Sequence, residues 1–157
     1  DFQTWSGLPV AEARAGYEAI APELLEVQVD GTPMWLPKDR ADWLDQPRDT
    51  QPVVKILGAF DTYLLGYRTR DLDVSPALMK RVHPGGGIIR PTILIDGHAV
   101  AIWTRKRSGR KMSITVSPFE KLSNEAHAAV DAEVQDVGRY LGVEASWSVG
   151  QDLWTRE

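Results

Sequence analysis

The chain is 157 residues long, 43% hydrophobic and 25% charged, an average globular composition with material for one ordinary core or two small ones. It contains no cysteine, which excludes a disulfide framework and a cysteine-based zinc site and makes the reducing cytoplasm the expected location. No apolar run approaches the roughly 20 residues that span a bilayer, so no membrane partner is expected, and 18 Lys and Arg against 22 Asp and Glu leave a formal net charge of −4.

Asp1 to Trp5 reads as the last turns of a helix whose beginning is missing. From a start at Asp1, without methionine and inside a patterned segment, the chain is expected to be a fragment of a longer protein. Ser6-Gly7 supplies a turn, and Pro9 sits where proline is tolerated, in the first turn of a helix. Val10, Ala13, Tyr17, Ile20 and Ala21 recur at helical spacing, predicting an amphipathic helix from Pro9 to about Ile20. Leu24 to Val29 and Met34 to Leu36 are short apolar runs joined by Asp30-Gly31-Thr32-Pro33, a hairpin in which Pro33 favours an edge. Helix, turn, helix, hairpin is the order of a winged helix, and residues 1–37 are read as part of one. Its recognition helix would expose Glu12 and Glu18 beside Arg14, and two carboxylates there oppose phosphate. Pro37 to Pro52 is polar, holds three prolines and shows no lasting period, so residues 38–52 are read as a linker with a helical turn at ADWL.

Residues 53–157 are expected to form a β-rich C-terminal domain. Val53 to Leu57 reads as a strand, Asp61 to Tyr67 as a short helix or irregular apolar segment, and Ser75-Pro76 as the start of a helix through about Val82. Asp96-Gly97 and Ser108-Gly109 each lie between β-branched and aromatic runs, the strongest short-range hairpin signal. They predict three antiparallel strands: Ile88 to Ile95, Ala99 to Arg107, and Lys111 to Ser117. Ser123 is the N-cap of the clearest helix, Asn124 to Leu141. Its apolar face runs from Ala126 through Val130, Val134 and Val137, and Gly142 ends it. The opposite face is acidic, so this helix should pack on the sheet rather than meet nucleic acid. Val143 to Val149 can return as one more strand. The expected fold class is α+β: a partial winged helix followed by a small antiparallel β-barrel-like domain with a packed C-terminal helix.

Charge is segregated. From Lys80 to Lys111 there are eight basic residues and one acid, Asp96, a local charge of +7 against −11 for the remainder. A basic field on an acidic body points to a polyanion, because Lys and Arg displace counterions from phosphates while the rest of the surface repels non-specific contact. Arg105, Lys106, Arg107, Arg110 and Lys111, with Arg90, are therefore the candidate DNA-binding residues and double-stranded DNA the candidate partner. The alternative is a solvated hairpin tip whose charges keep an edge strand from aggregating. Trp103 in the same strand either stacks on a base or faces the core.

His83-Pro84-Gly85-Gly86-Gly87 is the other motif of note. Three glycines can expose N–H groups to an anion, but a phosphate loop needs a following helix opening with Lys and Ser or Thr, and here Ile88-Ile89-Arg90 begins a strand. His83, Gly85, Gly86 and Gly87 are kept as a candidate functional loop, beside the simpler reading of a flexible turn around a structural histidine. His83, His98 and His127 lack the paired spacing of a metal site, so neither metal nor cofactor is expected. Asp61, flanked by apolar residues, is read as a structural acid partnered by Arg68 or Arg70. No catalytic residue is assigned.

FDTYLLGYRTRD, HPGGGIIRPTILIDGHAVAIW and the opening DFQTWSGLPVAEARAGYEAI together resemble the C-terminal part of the bacterial winged helix DNA-binding domain-containing family, which includes the AlkZ-like and YcaQ-like DNA glycosylases. The resemblance covers most of the chain and is specific in the order of its blocks. It implies tandem winged helices, then a small β-barrel-like domain whose hairpin, Ile102 to Ser113 here, reaches the DNA. It also implies an enzyme that acts on a flipped-out damaged nucleotide through a glutamine, hydrophobic, glutamine or aspartate motif near the N-terminus of the full protein. Gln28-Val29-Asp30 fits the letters of the aspartate form but falls in the predicted wing, so it is read as coincidence. The expected function is the DNA-binding C-terminal portion of an AlkZ-like glycosylase homologue whose catalytic motif lies before this chain. The alternatives are a non-catalytic winged helix regulator or architectural protein and, more weakly, an interaction barrel whose basic tip meets an acidic partner.

Overall fold

The computed structural model describes residues 2–47, 50–67 and 72–150. The chain divides into two compact units, Asp1–Thr50 and Gln51–Glu157.

In the first unit, α1 (Phe2–Ser6) and α2 (Val10–Ile20) precede β1 (Leu24–Val29) and β2 (Thr32–Pro37). Gly7 at φ 69° ends α1, its N–H donating to the Gln3 carbonyl at 3.0 Å. Asp30 and Gly31 both take positive φ, 49° and 77°, the left-handed pair that a two-residue turn between twisted strands requires. The turn seats Gln28 against Pro33 and Val27 against Met34. Tyr17 meets Trp35 edge to face at 5.5 Å, a geometry that aligns the ring quadrupoles. Ala13 is the only described residue of this unit that is fully buried. Lys38–Leu44 continue as a seven-residue 3-10 helix, longer than the single turn read at ADWL, and Lys38 Nζ donates to the Pro22 carbonyl at 2.7 Å.

The second unit is a curled five-stranded sheet with a helix on one face. Its strands, in spatial order, are β3 (Val54–Leu57), β4 (Thr92–Ile95), β5 (His98–Ser108), β6 (Lys111–Pro118) and β7 (Glu144–Val149). The first four pair antiparallel as expected. The fifth corrects the antiparallel expectation: β7 runs parallel to β6, Lys111 opposite Glu144 and Val116 opposite Val149. The reason is the connection. The helix α5 (Asn124–Leu141) carries the chain back along the sheet before β7 starts, and a returning helix allows the next strand to point the same way. Ser123 Oγ accepts from the Ala126 N–H at 3.1 Å, and Gly142 at φ 63° closes the far end.

Alternation sends neighbouring strand residues to opposite faces of the sheet, and both faces are covered, so two cores form; between them β5 carries one extra residue. Ile93 pairs with Ala101 and Leu94 with Ala99, leaving Val100 as a bulge. A bulge breaks the period of two, so Ala99 and Ala101 face opposite sides. On the α5 side, Ile93, Ala101, Trp103, Met112, Ile114 and Val116 pack with Val130 and Val134. On the other, Leu94 and Ala99 pack with Leu64, Val74, Val82 and Ile89. These last come from a segment holding α3 (Thr62–Leu65) and α4 (Met79–Val82). Asp61 caps α3, accepting from the Tyr63 N–H at 2.9 Å. Its expected partners, Arg68 and Arg70, lie outside the described residues.

Gly138 lets α5 approach β7. A Cβ there would lie 2.9 Å from both the Val143 carbonyl oxygen and the Ala145 Cβ, closer than packed atoms tolerate. Gly138→Ala is therefore expected to destabilise the protein by about 1–3 kcal/mol despite the better helix propensity of alanine, read as a lowered urea midpoint.

Candidate nucleic-acid interface

Strand β5 outruns its ladder with β4, which ends at the Thr92–Ile102 pair. The register pairs Arg105 with Ile114, Lys106 with Ser113, Arg107 with Met112 and Ser108 with Lys111, so the turn proper is Gly109-Arg110 rather than Ser108-Gly109. Gly109 takes φ 57°, as the first position of a two-residue turn of this kind demands. From Arg105 to Lys111 every residue is exposed. Ordinary strand alternation would bury every second one; here Ile114 and Met112, the partners of Arg105 and Arg107, are core residues, so the loss of alternation marks this length of β5 and its turn as the uncovered margin of the packed body. Five of its seven residues are basic.

Few partners quench that charge. Lys111 Nζ lies 4.0 Å from Glu144 Oε2, an exposed pair of little energetic weight, and Arg107 Nε donates to the Gly109 carbonyl at 3.3 Å. Among the described residues no carboxylate comes within ion-pair distance of Arg105, Lys106, Arg107 or Arg110. A shallow cleft of about 590 Å³ adjoins the tip, and Arg110, Lys111 and Arg139 contribute to its lining. The exposed face of α5 carries Glu125, Asp131 and Asp136, with Asp136 paired to Arg139, and Glu133 meets Lys55 at 3.2 Å. The Glu125 carboxyl is held below the usual range by its own backbone N–H and the Ser123 hydroxyl, so it stays charged at the helix start.

Arg90 does not join the tip. Its guanidinium is partly buried and Nη1 donates to the Arg81 carbonyl at 3.1 Å, tying β4's approach to α4; position in sequence placed it in the basic block, but packing gives it a structural role. Trp103 is likewise a core residue, 9% exposed, with its indole N–H donating to the Leu57 carbonyl at 2.8 Å. That bond excludes the base-stacking alternative for the ground state.

The candidate loop is a different kind of feature. Gly85, Gly86 and Gly87 have φ of 106°, 61° and 75°, and a Cβ on any of them would meet nothing within 4 Å. Conformation, not close packing, selects glycine here. His83 follows α4 and its N–H donates to the Met79 carbonyl at 2.7 Å. The loop is separated from the hairpin tip by the whole of β4 and most of β5 in sequence. At the β4–β5 turn, the Tyr63 hydroxyl donates to the Gly97 carbonyl at 3.3 Å. Burial first, then the charge of Asp73, then Tyr67, pushes its phenol up, keeping it protonated as a donor. Among the described residues no three His, Asp or Glu side chains gather at metal-binding distance, and no helix is long and apolar enough to cross a membrane.

Gln28, Val29 and Asp30 sit at the exposed β1–β2 turn, with the Gln28 amide donating to Glu26 at 3.3 Å.

Comparison with known proteins gives three matches. The family model described as DNA glycosylase AlkZ-like matches residues 1–140. An interstrand DNA cross-link repair glycosylase of Streptomyces sahachiroi is 30% identical over 148 residues, covering 90% of this chain and 38% of that protein. The solved structure of the Streptomyces sahachiroi DNA glycosylase AlkZ superposes with a TM-score of 0.67 at 24% identity, covering 95% of this chain and 40% of that one. The likeness of structure speaks for the fold. The chain spans about two fifths of the length of these relatives.

Proposed function

This chain belongs to the AlkZ-like DNA glycosylase family, and from that premise we propose that it is a DNA-gripping portion of such an enzyme, with the β5–β6 tip as its contact on duplex DNA. The observation that carries the proposal is the tip itself: five basic residues among seven, all exposed, on a chain of net charge −4. Phosphate contacts of this kind position a protein on the duplex without reading sequence. In the first unit, the order α1, turn, α2, hairpin supports a partial winged helix, and the carboxylates of Glu12 and Glu18, both exposed on α2, favour an architectural role for it. Glycosidic chemistry, in this proposal, is supplied by residues outside this chain, since the one triplet here with the letters of the family motif sits on an exposed turn.

The test is fluorescence anisotropy of a labelled duplex across a salt series. Affinity should fall as salt rises, with a slope in the logarithmic plot of about −0.9 per phosphate neutralised. Binding that ignores salt, or none even at low salt, would refute the assignment. The exposed position of Gln28-Val29-Asp30 equally favours a second reading, a non-catalytic binder. The whole protein separates the two: release of a base from a cross-linked duplex, the substrate class named for the Streptomyces relative, supports the glycosylase, and intact DNA supports the binder.

A further inference from the structure

The sheet beside the tip has two unlike faces. Toward α5 its rungs read Trp103, Val116, Val149 and Arg105, Ile114, Trp147. The reverse face of the same three strands reads Thr104, Thr115, Ser148 and then Lys106, Ser113, Ser146. That reverse face begins where the second core ends: the preceding rung, with Ile102 and Ser117, is buried, whereas Lys106, Ser113, Ser146 and Ser148 are exposed and both threonines half-buried. No apolar side chain stands on these two rungs, so the hydrophobic effect supplies no reason for another part of the protein to cover them.

We infer that this face is a docking surface for the sugar-phosphate backbone of one DNA strand; the inference rests on the DNA-binding reading of the adjoining tip. Residue type argues for it. Five of these six side chains are short hydroxyls that let a partner approach the sheet closely. A hydroxyl can donate to a phosphate oxygen, which only accepts, and Ser and Thr are regular phosphate ligands. Charge agrees on balance, because the sixth side chain is Lys106 and the next rung of this face, Ser108, Lys111 and Glu144, sets Lys111 against one carboxylate at 4.0 Å with Arg110 beside it at the turn. Size agrees as well. Three strands and two rungs make a patch about 10 Å wide and about 7 Å long, room for about two successive phosphates of one strand, whose spacing along the backbone exceeds the roughly 3.4 Å that each advances along the helix axis. The period of two gives the hairpin a division of labour: Lys106 belongs to the hydroxyl face, while Arg105 and Arg107 project from the other.

The test compares the full chain with a Ser113→Ala, Ser146→Ala, Ser148→Ala variant and, separately, with Ser113→Glu, by anisotropy on two duplexes of unrelated sequence over a salt series. Neutral donors release no counterions, so the triple variant should bind about tenfold more weakly on both duplexes with its salt slope unchanged. Ser113→Glu should weaken binding by about 100-fold by setting a carboxylate against phosphate. Thermal unfolding should match the parent in each case, since the substituted serines are exposed. Parent-like affinity in both variants, while the parent binds with normal salt dependence, would overturn the face and leave the tip assignment intact. A loss confined to one duplex would also overturn it, because it would signal base readout. A parent chain that does not bind DNA at all would overturn the tip and the face together.

Discussion

Replacement of Arg105, Lys106, Arg107, Arg110 and Lys111 together by alanine is expected to lower duplex affinity by on the order of 10²–10³-fold at low salt and to flatten the salt dependence by about 4 to 5 in slope if each contacts a phosphate. The variant should still fold. All five side chains are exposed, Gly109 remains to make the turn, and the one ion pair removed, Lys111 to Glu144 at 4.0 Å, is a surface pair worth about 0–1 kcal/mol. Losing five positive charges takes the formal net charge from −4 to −9, so long-range repulsion adds to the lost contacts. Anisotropy with the parent chain measures both quantities. Unchanged affinity and slope would return the hairpin to the role of a solvated, charge-protected strand end.

The second large effect concerns Trp103. Trp103→Ala is expected to cost about 3–5 kcal/mol, the range for deleting a large buried aromatic. Its indole lies in the core shared by β4, β5, β6 and α5, and its N–H reaches the Leu57 carbonyl at 2.8 Å, linking β5 to β3 on the far side of β4. Trp103→Phe keeps most of the volume and forfeits that bond, at about 1–2 kcal/mol. Urea unfolding reads both. The phenylalanine variant should bind duplex DNA as the parent does, because the side chain it alters faces protein. A stable Trp103→Phe chain with strongly weakened binding would instead put the indole on a base and contradict the packing described above.

Much of the architecture is local in origin and therefore legible from residues alone. Asp96-Gly97 announces its hairpin because only a few residue types accept positive φ, and both do so here, at 51° and 86°. The helix over Asn124–Leu141 is legible because its apolar period, its serine cap and its terminating glycine agree. The same holds for the hairpin of the first unit, announced by Asp30-Gly31, and for the segregation of positive charge into Lys80 to Lys111. The membership of the chain in its family rests on the order of such blocks, and the matches to known proteins agree with it.

What the sequence by itself determined, then, is most of the elements, the turns at Asp30-Gly31 and Asp96-Gly97, the caps of the long helix, and the concentration of cations at one hairpin, all consequences of interactions between residues a few positions apart. The tertiary structure decided the rest. The extra residue at Val100 has no glycine or proline to mark it and appears only in the register with Ile93 and Leu94; it is this residue that turns Ala99 toward the second core. The parallel direction of β7 depends on how α5 crosses the sheet. Arg90 left the basic cluster because the Arg81 carbonyl lies within its reach, and Trp103 became core because Leu57 does. The hydroxyl face is the plainest case: Thr104, Ser113, Ser146 and Ser148 are unremarked polar residues along the chain and become one surface only when β5, β6 and β7 align. Pairing across dozens of intervening residues sets that alignment, and no local propensity encodes it.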